Sequence, residues 1–254
     1  MNYDMKRLNE FQKILLINLK IIDDICLENS IQYTVFGGTL LGAIRHGGFI
    51  PWDDDADIVM NRENFDKFNK VLDEKYSSSY KIIYEGLWVP RFFNQENQYE
   101  SFLPFVDIFV YDSAPNNIRL FKRQILKLRI IQGMMKKNIT MNNRKILVNF
   151  LQITTFLMGL FFTNNKKLSM YISVSKKYNN TESSDYFVSN TSFNSIKKII
   201  SKNHYKTFVK KAFEKEELFV MNGYNELLLI WYGDYMKLPS PDKRVPEHYD
   251  FIKK

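Results

Sequence analysis

The stretch from Tyr33 to Met60 constrains this 254-residue chain more than any other. It runs Tyr33-Thr34-Val35-Phe36, Gly37-Gly38, Thr39 to His46, Gly47-Gly48, Pro51-Trp52, and then Asp53-Asp54-Asp55-Ala56-Asp57-Ile58-Val59-Met60. β-Branched and aromatic residues predict a strand over 33–36, and the glycine pair permits a turn with positive φ and close backbone approach. A helix is expected over 39–46 with Thr39 as its N-cap. Pro51 halts it, and Ala56 to Met60 predicts a second strand.

Side chains alternate along a strand, so Asp55 and Asp57 share one face and Ala56 and Ile58 the other. Carboxylates this close repel unless a proton or a cation intervenes. Mg²⁺ meets that need, because it takes one or two carboxylates plus substrate phosphate oxygens. Gly37-Gly38, with a helix behind it, aims backbone N–H groups and a positive dipole end at whatever lies above the acids. Such a site suits a nucleotide diphosphate. Asp53, Asp55 and Asp57 have the spacing of a calcium loop, but Ile58 stands where its glycine belongs and Asn64 where its glutamate belongs. Ala43 stands where a P-loop has lysine. A solvated acidic turn ahead of a strand is the alternative that spacing leaves open.

Gly38-Thr39-Leu40-Leu41-Gly42-Ala43-Ile44-Arg45-His46 and Pro51-Trp52-Asp53-Asp54-Asp55-Ala56-Asp57-Ile58 resemble the signature of the LicD family of phosphotransferases, to which eukaryotic fukutin-type proteins are more distantly similar. The resemblance implies an α/β (α+β) nucleotidyltransferase fold, a mixed sheet flanked by helices. It implies a glycine turn, a DxD on the next strand and a third acid on a later one. It also implies transfer of a phosphorylated small alcohol, typically phosphocholine from CDP-choline, onto a surface glycan or teichoic acid. Val106-Asp107-Ile108-Phe109-Val110 matches the third acid, with valines at the flanking positions of the usual run. Physics points the same way: an ionised carboxylate inside an apolar strand is costly unless paired or metal-bound. Asp112 is expected to start the turn that follows.

Apolar residues make up 45% of the chain, enough for a substantial core. A single cysteine, Cys26, excludes an internal disulfide. Met1 to Arg7 lacks the apolar segment of a secretory signal, so a cytoplasmic location is expected. Charge is uneven. Residues 113–181 hold thirteen lysines and arginines and no Asp or Glu, so of the net +8 the remainder carries −5. An anionic partner for the middle of the chain follows. Nucleic acid is not expected, because few aromatic residues are interleaved with these charges and no RNA-binding signature is present.

Leu8, Phe11, Leu15, Leu19, Ile22 and Cys26 fall at helical spacing and predict a helix over 4–29. Asn61 is the expected N-cap of a helix reaching Lys75. Strands are expected over 80–84, 91–93 and 102–111, a cationic amphipathic helix over 118–135, a short strand over 186–188 and helix-rich structure over 196–219. Ile146 to Thr163 is a largely apolar run of 18 residues, roughly 27 Å as a helix. It can cross a membrane, pack as a core hairpin or lie on a membrane surface; the resemblance favours the last, since the family's acceptors are commonly lipid-linked. The expected organisation is a catalytic core over 1–112, a basic helical insertion over 113–181 facing membrane or acceptor, and residues 182–254 completing the catalytic domain.

Tyr232-Gly233-Asp234-Tyr235-Met236-Lys237-Leu238-Pro239, followed by Lys243, Arg244 and His248, is similar to the family's C-terminal signature. The resulting expectation is that Asp55 and Asp57 hold one or two Mg²⁺ (Mn²⁺ substituting), with Asp107 as the remaining ligand and the acceptor of a proton. Gly37, Gly38 and Thr39 would contact phosphate, and Asp53 and Asp54 would support the metal. Arg45 and His46 contact substrate or balance a helix C-terminus. Trp52 is a core anchor or a stacking surface, and Lys243, Arg244 and His248 a phosphate clamp or a solvated tail. Tyr232 and Asp234 are placed with the substrate. The partners expected are a CDP-alcohol donor, a lipid-linked or polymeric glycan acceptor and an anionic membrane surface at the inner face of the cell membrane. Transfer of glycerol- or ribitol-phosphate, or nucleotidylyl transfer at the same metal site, stays open.

Overall fold

The computed structural model describes residues 4–84, 88–96, 103–139 and 146–246. It is a mixed α/β structure in which a sheet is flanked by helices, as the resemblance implied. Two compact units are present, Met1–Ile83 with Pro90–Val110 and Ser201–Lys254, and Tyr84–Val89 with Tyr111–Ile200.

In the first unit, α1 (Met5–Glu28) starts where the Asp4 carboxylate accepts the N–H groups of Lys6 and Arg7. Leu8, Phe11, Leu15, Leu19, Ile22 and Cys26 are all buried on it, as their spacing predicts. The chain continues through β1 (Thr34–Val35), α2 (Gly37–Arg45), β2 (Asp57–Asn61), α3 (Arg62–Lys75), β3 (Tyr80–Ile83), β4 (Arg91–Asn94) and β5 (Val106–Ala114). The strand order is β1-β2-β5-β4-β3. Asn61 caps α3, its side-chain oxygen accepting the Asn64 N–H at 2.9 Å.

One cap differs from expectation. Helix α2 begins at Gly37, and extended Phe36 occupies its N-cap. Thr39 lies inside the helix, 1% exposed, and its hydroxyl accepts the Asp57 N–H at 2.8 Å. A cross-connection to β2 has claimed the oxygen that a cap would have used.

The second unit contains the last residues of β5, then α4 (Ile118–Met135), α5 (Ile146–Leu160), α6 (Asn164–Ser175), β6 (Asp185–Val188) and β7 (Ile199–Ser201). Its core gathers Phe121, Ile125, Leu128 and Ile131 of α4 with Tyr171 and Phe187. Asp112 does not start a turn. It is fully buried inside β5, opposite Phe187 of β6, and its Oδ1 accepts the Asn179 side-chain N–H at 2.6 Å. That distant amide solvates the carboxylate and lets the strand continue.

The first unit then resumes with β8 (Phe208–Phe213), β9 (Glu216–Met221) and α7 (Tyr224–Tyr232). An antiparallel hairpin, β8–β9, thus replaces the helix-rich structure expected over 196–219. Its tight turn uses Glu214 at φ 56°, a conformation usually given to glycine or asparagine, so the usual hairpin marker is missing from the sequence. Leu218 and Val220 are buried, at the spacing of two that a half-buried strand requires. The hairpin joins β1, where the Thr34 hydroxyl accepts the Met221 N–H at 2.9 Å.

Helix α2 closes against the loop that follows it. A Cβ on Gly42 would run into the Gly48 carbonyl oxygen and lie 3.2 Å from the Ile50 nitrogen. Helix propensity alone favours Gly42→Ala by about 1 kcal/mol. The backbone contact opposes it, and overpacking costs about 1–3 kcal/mol. The expected outcome is a lower melting temperature, measured by circular dichroism; an increase would show that the loop yields.

Candidate active site

The glycine pair at the start of α2 lets two carboxylates reach the helix N-terminus. A Cβ on Gly37 would collide with Asp57 Oδ2, and one on Gly38 would collide with Asp53 Oδ2. Gly37 also has φ +54°, the left-handed region that side chains avoid. The turn therefore seats both carboxylates at the positive end of the helix dipole, and the Gly38 backbone N–H bonds that of Asp57. Thr39 was expected to touch phosphate. Buried and bonded to the Asp57 N–H, it holds the strand beneath the site instead.

The third acid arrives on the neighbouring strand. The Asp107 N–H donates to the Ala56 carbonyl at 2.9 Å, which locks β5 beside the segment from Asp55 to Asp57. Asp107 faces Arg91 across β4–β5, and the Arg91 Nε–H donates to its Oδ1 at 2.8 Å. Asp57 is 8% exposed. Burial, then the charges of Asp55, Asp107 and Asp53, push its carboxyl well above the usual carboxylate range, and the Gly38 backbone N–H offsets part of that. Asp57 therefore feels three other acids, two from the loop before β2 and one from the neighbouring strand.

Hard oxygen donors crowded to this degree fit a divalent cation of the Mg²⁺ type. Among the described residues, no group of three or more Asp, Glu, His or Cys side chains stands ready-spaced to enclose an ion. Mg²⁺ relies on one or two carboxylates and takes the rest of its ligands from water and substrate phosphates. Asp55 and Asp57 would be the residues to hold such an ion.

A cleft of about 250 Å³ is lined by Gly38, Asp53, Asp55 and Asp57 together with Trp52 and Tyr232. Phe36 brings the end of α7 here by packing against both Phe109 and Trp231, at 4.9 and 5.2 Å between ring centroids. Loss of water at the Tyr232 phenol, then the charges of Asp57, Asp53 and Asp55, raise it well above the tyrosine range, although 44% of the residue is exposed. The Arg244 guanidinium lies over Trp52, 5.8 Å from the ring centroid. His46 meets the same ring edge to face, and desolvation followed by the Arg45 charge lowers its imidazole. Arg45 donates through Nη1 to the Tyr235 carbonyl at 2.8 Å.

The two separated signatures thus form one rim. Trp52, Tyr232, Arg45, His46 and Arg244 come together there. Asp234 and Lys243 are exposed on the surrounding turns and do not line the cleft, and His248 lies outside the described residues. Sequence reasoning missed Arg91, which no motif flags; only its cross-strand register opposite Asp107 identifies it. It missed Gln12 as well, whose side-chain amide donates to the Asp53 carbonyl at 2.8 Å and to the Ile50 carbonyl at 3.3 Å, tying the acid loop to α1.

Acidic residues on adjacent strands facing a glycine turn at a helix start define a nucleotidyltransferase-type centre. Residues 30–148 match the family described as LicD/FKTN/FKRP, nucleotidyltransferase domain. The chain is 30% identical over 262 aligned positions to the lipopolysaccharide cholinephosphotransferase LicD of Haemophilus influenzae, a likeness covering 95% of this chain and 96% of that protein. Shorter likenesses, 36% over 84 residues and 37% over 67, link it to uncharacterized proteins of Rickettsia typhi and Rickettsia prowazekii, covering 33% and 26% of this chain and 27% and 25% of theirs. The chain belongs to the LicD family.

Because Asp57 holds its proton more tightly folded than unfolded, its ionisation opposes folding. That cost is full above the raised folded value and vanishes below the ordinary carboxylate range. In chelator at neutral pH, Asp57→Asn is expected to melt at a higher temperature than the wild type. The difference should shrink as pH falls through the window between those two values. Differential scanning calorimetry across pH reads both effects; a destabilised variant at neutral pH would show that the carboxylate is better compensated than its surroundings indicate.

Proposed function

We propose that this chain transfers a phosphorylated small alcohol, phosphocholine from CDP-choline foremost, onto a cell-surface glycan precursor and releases CMP. The observation that carries this reading is the cleft in which Asp53, Asp55 and Asp57 meet Trp52 and Tyr232, with Asp107 on the adjoining strand. Acids and aromatic rings lining one cleft suit a substrate that carries both a diphosphate and a quaternary ammonium. The likeness to a lipopolysaccharide cholinephosphotransferase over nearly the whole chain supports phosphocholine as the group transferred and a glycan as its acceptor.

Mg²⁺ bound by Asp55 and Asp57 would polarise the phosphoryl oxygens and neutralise charge building on the CMP leaving group. The rest of the work falls to the protein. Gly38 offers a backbone N–H at the start of α2, and Arg45 and Arg244 supply positive charge at the rim for phosphate oxygens. Trp52 and Tyr232 receive the trimethylammonium group. Asp107, oriented by Arg91, takes the proton of the acceptor hydroxyl as its oxygen bonds to the outer phosphorus. The bond from that phosphorus to the bridging oxygen breaks, and the electron pair leaves with CMP.

Asp55→Asn and Asp57→Asn are each expected to reduce turnover about 10³-fold, on the order of 4 kcal/mol in the barrier, with circular dichroism unchanged. Near wild-type rates with Mg²⁺ present would remove the metal-assisted reading. Mass spectrometry of products from CDP-choline, CDP-glycerol and CDP-ribitol reads the donor. Release of free CMP from CDP-choline, with phosphocholine on the acceptor, is the expected result. CMP appearing on the acceptor would establish nucleotidylyl transfer at the same acids.

A further inference from the structure

Helix α5 of the second unit is built inside out. Its polar residues Asn149, Gln152 and Thr155 lie on the more sheltered side together with Gly159. That side packs on α4 at close range: a Cβ on Gly133 would strike the Thr155 side chain, and a Cβ on Gly159 would strike the Met134 carbonyl. Most of the apolar side chains point away, Ile153 and Phe156 being half-buried. Leu147, Phe150, Leu151 and Leu160 are 71, 63, 53 and 66% exposed, and Phe161 just beyond the helix is 86% exposed. Helices of water-soluble folds bury the apolar side and expose the polar one, and contiguous exposed apolar surface on this scale marks an interaction site.

The hydroxyls on α5 are prepared for a dry environment. Exposed Thr154 donates to the Phe150 carbonyl at 2.8 Å, and Thr155 donates to the Leu151 carbonyl at 2.9 Å. Neither needs water, so these threonines do not oppose contact with lipid. The surroundings are uniformly positive. Residues 113–181 contain no carboxylate, and Arg119, Lys122, Arg123 and Lys127 on α4 and Lys166 on α6 are exposed. No single described helix is long and apolar enough to cross a membrane; α5 and the helical stretch after it meet that length and composition only as a pair, bent by 115°.

We propose that α5 beds lengthwise into the interface of an anionic bilayer, with the neighbouring lysines and arginines on the headgroup phosphates. An apolar face with basic flanks is what such a surface selects. A second copy of this chain is the poorer occupant, because pairing through the same face would bring two acid-free basic surfaces together. This inference does not rest on the transfer reaction, and its test uses neither donor nor acceptor.

Flotation of the full chain with phosphatidylcholine–phosphatidylglycerol vesicles, against phosphatidylcholine alone, reads it. The wild type is expected to float with the anionic vesicles only. Leu147→Glu/Leu151→Glu and, separately, Lys122→Glu/Arg123→Glu should each weaken binding about tenfold or more with the circular dichroism spectrum retained. Leu151→Trp fluorescence should be quenched by lipids brominated on the acyl chain. Binding that ignores the leucine changes, an absence of flotation, or a lipid-free dimer that the leucine variant converts to monomer would each overturn the proposal.

Discussion

Mutual repulsion among Asp53, Asp55, Asp57 and Asp107 is the constraint around which the first unit is assembled. Their charges, after burial, drive the Asp57 carboxyl upward, so the arrangement persists only because other contacts over-determine it. The backbone supplies the strongest of these. Asp57 exchanges bonds with α2 and its approach through the Thr39 hydroxyl and the Phe36 N–H, the latter donating to the Asp57 carbonyl at 2.9 Å. The Asp107 N–H fixes β5 to the Ala56 carbonyl between the two metal-binding candidates. None of these bonds uses a carboxylate oxygen; those atoms meet the Arg91 Nε–H at Asp107 and the Gly38 N–H at Asp57. Sites of this kind trade stability for function.

What could be read in the sequence was local. Helix α1 declared itself through the spacing of Leu8 to Cys26, α3 through the Asn61 cap, and α4 over its full extent from Ile118 to Met135. The failures share a cause: a distant partner changed the meaning of a local signal. Thr39 has cap chemistry, but β2 takes its oxygen. Asp112 has turn chemistry, but Asn179, 67 residues away, bonds it inside a strand. Phe208 to Met221 offers no Asn-Gly or Gly-rich turn, and the left-handed residue is a glutamate whose carboxylate accepts the Phe49 N–H at 3.0 Å. Tertiary bonds outweighed propensity in every case.

The candidate site divides along the same line. Gly37-Gly38 and the Asp-x-Asp were legible because a strand-turn-helix-strand unit of fewer than thirty residues carries them. Asp107 was legible because an acid in an apolar strand demands an explanation. The rim was not. Arg45 and Tyr235 are separated by 190 positions, and nothing in either segment announces that they meet. Resemblance linked the two signatures; packing of Phe36 on Trp231 explains how they come together. Arg91 shows the limit most plainly, since its role depends wholly on register with Asp107.

The acid loop is gripped from three elements. Gln12 of α1 holds the Ile50 and Asp53 carbonyls, Gly42 of α2 admits the Gly48 backbone, and Glu214 of the hairpin turn holds the Phe49 N–H while its own N–H donates to the Gly47 carbonyl at 2.8 Å. Carboxylates on a free loop would swing apart to lower their repulsion, and a cation would then have to draw them together at the expense of its own binding energy. Fixing the loop from α1, α2 and β8–β9 removes that reorganisation before any ligand arrives. The hairpin that sequence reasoning misread is therefore part of what makes the acid cluster usable, which places functional weight on a segment that carries no catalytic group.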